Sequence, residues 1–151
     1  MNLHTFAATV VIALSLSTAA VAENCDAEKE LRLLALNIYH EARGEPDEGK
    51  RMVGEVTLNR VASDKYPDTV CAVVKQPSQF SWYKKNISTP KENGAWKESL
   101  EIAEDLLSDE KESYDHLATH FLNPSAVNKM PAWTKRFKKV AKIGDHVFYR
   151  M

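Results

Sequence analysis

The sequence predicts an α+β domain that is mainly α-helical, with the helices first and a small antiparallel sheet at the C-terminal end. Apolar residues recur at helical spacing as far as residue 107, and after residue 115 the pattern changes to alternation and a hairpin. The chain has 151 residues, of which 44% are apolar, and a formal net charge of −1. These values are typical of one globular domain, and they argue against a long disordered chain or a strongly basic nucleic-acid-binding protein.

Residues 1–22 have the composition of a secretory signal peptide. They contain no Asp, Glu, Lys or Arg, and residues 6–16 form an apolar run. The tripeptide AVA at 20–22 has the small-x-small pattern that signal peptidase accepts. We therefore expect cleavage after residue 22, export to the periplasm or the cell exterior, and a mature domain over residues 23–151 without stable membrane insertion. An uncleaved membrane anchor is the alternative.

Both cysteines, Cys25 and Cys71, lie in the mature part of the chain. Because an exported protein meets an oxidising environment, a disulfide between them is expected. The bond would tie the start of the first helix to the third helix and close a loop of about 47 residues. Two buried free thiols are the alternative.

Three helices are predicted in the first half of the mature chain. Asp26 is a typical N-cap for the first, over residues 26–43, and a glycine followed by a proline ends it. Apolar residues at helical spacing predict the second helix over residues 48–62. A short third helix is predicted to start at Tyr66-Pro67 and to turn its three valines inward.

The pattern becomes polar beyond residue 75 and alternates later. Residues 76–93 are rich in Pro, Ser, Asn and Gln and predict a loop. A fourth helix is predicted to follow Asn93, and its buried side carries Trp96, Leu100, Ala103 and Leu107. Alternation predicts a strand over residues 116–122, and residues 137–143 and 146–150 are expected to form a hairpin around a Gly-Asp turn.

Glu41 is a carboxylic acid on the apolar face of the first helix. At about 100° per residue, it lies about 20° from Leu34 and about 60° from Ile38. Burial disfavours the charged form of a carboxyl group, and so does the negative end of a helix dipole. Glu41 is therefore a candidate general acid with a raised pKa. A structural salt bridge to Arg43, Arg60 or another buried cation is the alternative.

A set of motifs around and after Glu41 resembles one enzyme family. The first is YHEARGE at residues 39–45. Further blocks follow in order: GEV at 54–56, LNRV at 58–61, YPDTV at 66–70, QFS at 79–81, FLNP at 121–124, and IGDHVFY at 143–149. Over residues 31–150 the chain resembles the SleB/CwlJ-type cell wall hydrolases, the family that includes spore cortex-lytic enzymes.

The resemblance implies a lysozyme-like fold and an enzyme that cuts the glycan strands of peptidoglycan, with Glu41 as the acid. Glu45, Asp47 and Glu48 follow Gly44 or flank Pro46, and this turn does not obviously aim a second carboxylate at the same bond. We therefore expect a lytic transglycosylase, which needs one carboxyl group and cleaves between N-acetylmuramic acid and N-acetylglucosamine. A two-carboxylate muramidase and an N-acetylmuramoyl-L-alanine amidase remain alternatives.

Nine further residues are candidates for lining the substrate cleft, because sugar sites combine aromatic faces with amide and hydroxyl groups. They are Glu45, Asn59, Gln79, Phe80, Ser81, Trp82, Tyr83, His120 and Asn123. Ordinary core packing is the alternative for Trp82 and Tyr83, and bracing of the loop that holds Glu41 is the alternative for Asn59.

No cofactor and no metal are expected, although the histidines leave a zinc amidase as an alternative. His116 and His120 lie four residues apart and His40 adjoins Glu41, but the chain has HEARG where a zincin needs HExxH. A protein that only binds the wall is a further class. We expect the protein to be a monomer and to bind peptidoglycan.

Basic residues are concentrated near the C-terminal end. Residues 126–142 hold six bases and no acid, whereas residues 97–115 hold eight acids and two bases. These segments are interpreted as solvated faces, or alternatively the basic strip holds the enzyme against an anionic polymer such as the cell wall.

Overall fold

The computed structural model describes residues 25–84, 87–91, 93–109 and 114–151. Four helices precede a three-stranded antiparallel sheet, as predicted: α1 (Ala27–Ala42), α2 (Asp47–Val61), α3 (Val70–Val74), α4 (Gly94–Ser108), β1 (His120–Leu122), β2 (Lys138–Ile143) and β3 (His146–Arg150). Two short 3₁₀ turns, Pro124–Ala126 and Ala132–Lys135, lie between β1 and β2.

The predicted signal peptide, residues 1–22, lies outside the described residues. Within the described ranges, no helix has the length and apolar character needed to cross a membrane.

The two predicted helix starts at Asx residues are confirmed by their capping bonds. The Asp26 carboxylate accepts a hydrogen bond from the Lys29 amide at 2.9 Å, and the Asn93 side chain accepts one from the Trp96 amide at 2.9 Å. Each bond satisfies an amide that has no partner inside the helix.

The predicted start of the third helix at Tyr66-Pro67 is wrong. Thr69 is its N-cap, since the Thr69 hydroxyl accepts from the Ala72 amide at 3.1 Å. Before it the chain turns, and the Tyr66 amide bonds the Ser63 carbonyl at 3.1 Å. A proline is compatible with a helix start, but it is equally compatible with the turn found here.

The core is built around α1, which packs against the other three helices. Its residues Leu34, Leu36 and Ile38 are fully buried. A Cβ placed on Gly54 of α2 would lie 3.1 Å from the Ile38 side chain and would collide with Leu106 of α4. The three helices therefore approach so closely at this crossing that any residue larger than glycine requires neighbouring core side chains to shift.

The buried side of α4 is partly as predicted. Trp96 and Ala103 are buried, but Leu106 is buried where Leu107 was expected, and Leu100 and Leu107 are only half-buried. Helical periodicity alone does not specify which of two adjacent leucines faces the core.

The sheet has the strand order β1-β3-β2, with Phe121 opposite Phe148 and Lys142 opposite Val147. Fully buried Phe148 packs in a cluster with Val53 and Val56 of α2, so the sheet covers one end of the helical layer. This arrangement brings β1 close to the C-terminal half of α2.

The strand predicted over residues 116–122 is confined to residues 120–122. His116 contacts Glu55 of α2 through its side chain at 2.9 Å, and Leu117 has a left-handed backbone with φ of 49°. A left-handed residue cannot continue a strand. The alternating pattern was therefore misleading over its first four residues.

The predicted disulfide joins Cys25 and Cys71, with their Cα atoms 6.0 Å apart. It ties the residue before the Asp26 cap to α3, as the sequence predicted. The predicted hairpin is also confirmed, since Gly144 and Asp145 connect β2 to β3.

Candidate active site

Glu41 lies in the last turn of α1, half-buried beside the apolar side chains of that helix. Burial raises the pKa of the Glu41 carboxyl group, and the nearby positive charge of Arg60 acts in the opposite direction. Burial has the larger effect, so Glu41 keeps its proton to a higher pH than an exposed glutamate does. This agrees with the raised pKa that its helical position predicts.

Arg60 lies on the last turn of α2, and its positive charge lowers the pKa of Glu41. Its guanidinium donates to the Thr119 carbonyl through Nε at 2.7 Å and lies 5.5 Å from the ring centres of both Tyr66 and Phe80. Arg60 is only 3% exposed. Burial lowers its pKa, while the negative charge of Glu41 favours the protonated form.

The guanidinium of Arg60 thus acts on two candidate groups at once, because its charge also lowers the pKa of His120. The sequence indicated Arg60 only as a possible salt-bridge partner of Glu41. Arg60 lies on the apolar face of α2, and this position in the sequence is the signal that could have indicated its burial. Its Nη1 atom is buried without a hydrogen-bond partner among the described residues.

His120, the first residue of β1, is a neutral imidazole in this site. Burial, with a smaller contribution from Arg60, lowers its pKa to about 4. Its Nδ1 lies 3.0 Å from the Thr119 hydroxyl, and its ring packs against Trp133 and Phe137 with centroids 5.1 and 4.7 Å apart. A neutral imidazole can hydrogen-bond a sugar hydroxyl without adding charge.

The polar loop after α3 lies against the end of α1 through Trp82. The Trp82 indole stacks on the imidazole of His40, with centroids 4.9 Å apart and planes 15° apart. Its Nε1 donates to Asn37 Oδ1 at 3.3 Å, and Asn37 Nδ2 donates to the Thr57 hydroxyl at 3.0 Å. Fully buried Asn37 was not singled out in the sequence, and only its position among apolar residues could have indicated it.

The other candidate residues of this loop differ in exposure. Phe80 is buried under Arg60, Tyr83 meets Trp82 edge to face at 6.0 Å, Gln79 is half-buried and Ser81 is exposed. An aromatic surface therefore continues from His40 along the loop.

Three of the candidate cleft residues make hydrogen bonds within the protein. The Glu45 carboxylate accepts from the Asp145 amide at 2.9 Å, and its other oxygen is 3.7 Å from His146 Nδ1. The Asn123 side chain accepts from the Ser125 amide at 2.8 Å at the start of a 3₁₀ turn. The third residue is Asn59.

Asn59 is buried, and both ends of its amide bind backbone. Its Nδ2 donates to the Ala118 carbonyl at 3.1 Å, and its Oδ1 accepts from the Tyr114 amide at 2.8 Å. Asn59 therefore braces the segment that leads into β1. The sequence offered bracing of the loop that holds Glu41 as an alternative role, so the kind of role is similar but the segment is different.

The histidines of the zinc alternative have separate partners. His116 contacts Glu55 Oε2 through Nε2 at 2.9 Å and accepts from the Ala118 amide through Nδ1 at 2.9 Å. In the part of the chain that the structure describes, no three His, Cys, Asp or Glu side chains group as metal ligands.

A profile of the cell wall hydrolase family matches residues 44–149. The matched segment is well over half of the chain and includes α2, the loop of residues 79–83, called the aromatic loop below, and the sheet as far as residue 149. The chain therefore belongs to the cell wall hydrolase family, which confirms the family and the enzyme class expected from the motifs. Glu41 precedes the matched segment by three residues.

Curated spore cortex-lytic enzymes are similar to this chain over most of its length. The enzyme of Oceanobacillus iheyensis is 31% identical over 123 residues, which are 80% of this chain and 41% of that protein. The enzyme of Bacillus subtilis is 29% identical over 121 residues, which are 79% of this chain and 37% of that protein. The chain thus spans about two fifths of the length of these relatives.

Two solved structures share the fold. The catalytic domain of the Bacillus cereus SleB protein superposes with a TM-score of 0.63 at 25% identity, covering 82% of this chain and 91% of that one. The catalytic domain of the germination-specific lytic transglycosylase SleB from Bacillus anthracis gives 0.63 at 26% identity, covering 84% and 98%. These matches confirm the predicted fold class.

Proposed function

We propose that this domain cleaves peptidoglycan between N-acetylmuramic acid and N-acetylglucosamine as a lytic transglycosylase, with Glu41 as its single catalytic carboxyl group. The proposal depends on one observation above all: burial raises the pKa of Glu41 at the point where an aromatic loop meets the end of α1. A general acid must carry its proton near the working pH, and a raised pKa provides that.

The reaction requires two proton transfers at the same carboxyl group. Glu41 donates its proton to the glycosidic oxygen, so that the bond to the anomeric carbon of muramic acid breaks. The resulting carboxylate then accepts the proton of the muramyl 6-hydroxyl, whose oxygen attacks the anomeric carbon and closes a 1,6-anhydro ring. Arg60 would stabilise the carboxylate between these steps, because its charge favours the ionised form of Glu41.

The contacts of the neighbouring acids favour this mechanism over a two-carboxylate muramidase. A second carboxylate would have to lie about 5–9.5 Å from the first and be free to act. Glu45 is instead bound to the Asp145 amide, and Asp47 accepts a hydrogen bond from Lys50 at 3.2 Å. The similarity to the Bacillus anthracis domain, a germination-specific lytic transglycosylase, supports the same choice.

Product analysis tests the reaction. Purified peptidoglycan would be digested with the domain, and the soluble fragments identified by mass spectrometry. Muramic ends in the 1,6-anhydro form, one water lighter than reducing ends, are the expected result. Reducing ends would indicate hydrolysis and a second carboxylate, whereas free stem peptides, with activity lost to a chelator, would indicate the zinc amidase.

Export and a monomeric state complete the proposal, with residues 1–22 as a cleaved signal peptide and the cell wall as the place of action. Mass analysis of protein recovered from the periplasm or medium should give a chain that begins at residue 23. Light scattering should give the mass of one chain. A retained N-terminal segment in the membrane fraction would favour the anchor.

A further inference from the structure

A basic cavity lies between the N-terminal half of α1, the end of α3 and the aromatic loop. It has a volume of about 120 Å³ and is lined by Lys29, Arg32, Leu33, Lys75, Tyr83, Lys84 and Ile87. Among the described residues that line it, four side chains are cationic and none is acidic. Neither the family motifs nor the mechanism proposed for Glu41 uses this cavity.

Arg32 presents its charge in a fixed orientation. Its Nη2 donates to the Ile87 carbonyl at 3.1 Å, and its Nε donates to the Thr89 hydroxyl at 3.0 Å. Both bonds hold the planar guanidinium against the wall of the cavity. A cation held in this way loses little freedom when it binds a carboxylate, and its planar fork suits two carboxylate oxygens.

The cavity is connected to the candidate active site by aromatic side chains. His40 adjoins Glu41 and stacks on Trp82, and Trp82 meets Tyr83 edge to face at 6.0 Å. Tyr83 in turn lines the cavity. This series of ring contacts leads from the residue beside Glu41 to the cavity.

A groove between α2 and α4 has the opposite charge. Its lining includes five acids and one arginine: Asp47, Glu48, Arg51, Glu98, Glu101 and Asp105. An anionic substituent would be repelled there and attracted to the basic cavity. The charge distribution thus favours one location for the negative groups of a bound substrate.

We propose that the basic cavity binds carboxylates of the stem peptide attached to muramic acid. This inference rests on the proposed action on peptidoglycan and adds a subsite to it. The sugars of the glycan strand are essentially neutral, so the stem peptide carries most of the negative charge of the substrate. Lys75 and Lys84 would pair with its carboxylates beside the fixed guanidinium of Arg32.

A comparison of two substrates tests this subsite. Glycan strands with stem peptides, and the same strands stripped of peptides by an amidase, would each be digested by the wild type and by the double variant Lys75→Ala/Lys84→Ala. The ratio of kcat/KM for stem-bearing to stripped strands should fall about tenfold in the variant. The matched control, Lys65→Ala/Lys97→Ala, removes two exposed lysines outside both the cavity and the basic strip of residues 126–142, and it should keep the wild-type ratio. An unchanged ratio in the Lys75/Lys84 variant would overturn the subsite.

A binding measurement separates this inference from the reaction itself. A synthetic stem tripeptide with free carboxylates would be titrated into the wild type and into the Lys75→Ala/Lys84→Ala variant, and followed by NMR. We expect weaker binding to the variant, and binding to the wild type that weakens with added salt. If the peptide binds in this way but products lack anhydro ends, the subsite stands and the transglycosylase assignment fails. Equal binding to both proteins contradicts the subsite, whatever the products are.

Discussion

The imidazole of His40 lies almost parallel to the indole of Trp82, with ring centroids 4.9 Å apart. This contact joins the last turn of α1, which carries Glu41, to the polar loop that follows α3. Trp82 is also bonded to Asn37, one turn earlier on the same helix. The helix that carries Glu41 therefore contacts Trp82 through two residues, His40 and Asn37.

Trp82→Phe should destabilise the fold while keeping an aromatic ring at this position. The variant lacks the indole N–H, so the fully buried Asn37 Oδ1 loses its donor. An unsatisfied buried acceptor costs about 1–3 kcal/mol, which urea denaturation would measure as a loss in the free energy of unfolding. Tyr83→Phe is the matched control, and an equal loss there would contradict the role of the Asn37 bond.

Glu41→Gln should abolish turnover and leave the fold and wall binding intact. The amide has the same shape but cannot donate the proton, so activity should fall by about 10²–10⁴-fold. Release of soluble fragments measures activity, and pelleting with purified peptidoglycan measures binding. Glu48→Gln, an exposed position on α2, should retain wild-type activity. Retention of more than about 1% of activity by Glu41→Gln would assign the acid to another residue.

His120 should make the protein less stable in acid. Its pKa is about 4 in the folded protein against an ordinary value of 6.5. Below pH 6.5 the unfolded chain takes up a proton that the folded site rejects. Its contribution to stability is therefore complete above pH 6.5 and is lost as the pH falls towards 4. The loss should be about 2 kcal/mol, after allowance for solvent screening of a ring that is only half-buried.

The variant His120→Gln isolates this effect. Urea denaturation at pH 7 and pH 4.5 should show a smaller loss of stability for the variant than for the wild type. Some loss remains, because burial also lowers the pKa values of His40 and His146. The same loss in both proteins would show that His120 is not the group responsible.

Gly144→Ala should destabilise the contact between the β2–β3 hairpin and the turn after α1. Gly144 has a φ of 55°, and a Cβ there would collide with the Glu45 carboxylate that binds the Asp145 amide. We expect a loss of about 1–3 kcal/mol in thermal or urea unfolding from backbone strain alone. At Gly94 a Cβ meets no atom within 4 Å, so Gly94→Ala should have little effect. Equal losses in both variants would contradict this account.

Removal of the disulfide by Cys25→Ser/Cys71→Ser should lower the free energy of unfolding by about 4 kcal/mol in the chain-entropy model. The reason is that the bond restricts the unfolded chain between two distant residues, 46 positions apart. Intact-mass analysis of the exported wild type should show a mass lower by two hydrogen atoms than that of the reduced chain. Two cysteines open to alkylation in that sample would disprove the bond.

Local sequence patterns predicted helix boundaries best where a single capping side chain begins the helix. The caps Asp26 and Asn93 act on amides three residues away, so their effect is visible in the sequence. The first residues of the predicted strand were wrong for the opposite reason. His116 there contacts Glu55, 61 residues earlier, and this long-range contact overrides the local alternation.

The sequence by itself determined that Glu41 lies on the apolar face of α1 near its end, because helical periodicity is a local property of the chain. It also indicated the family through motifs on both sides of this residue. Only the tertiary structure decided that Arg60 influences both Glu41 and His120, and that Glu45 and Asn59 bind backbone. These relationships depend on how helices, loop and sheet pack together, and packing joins residues whose separation in the chain carries no periodic pattern.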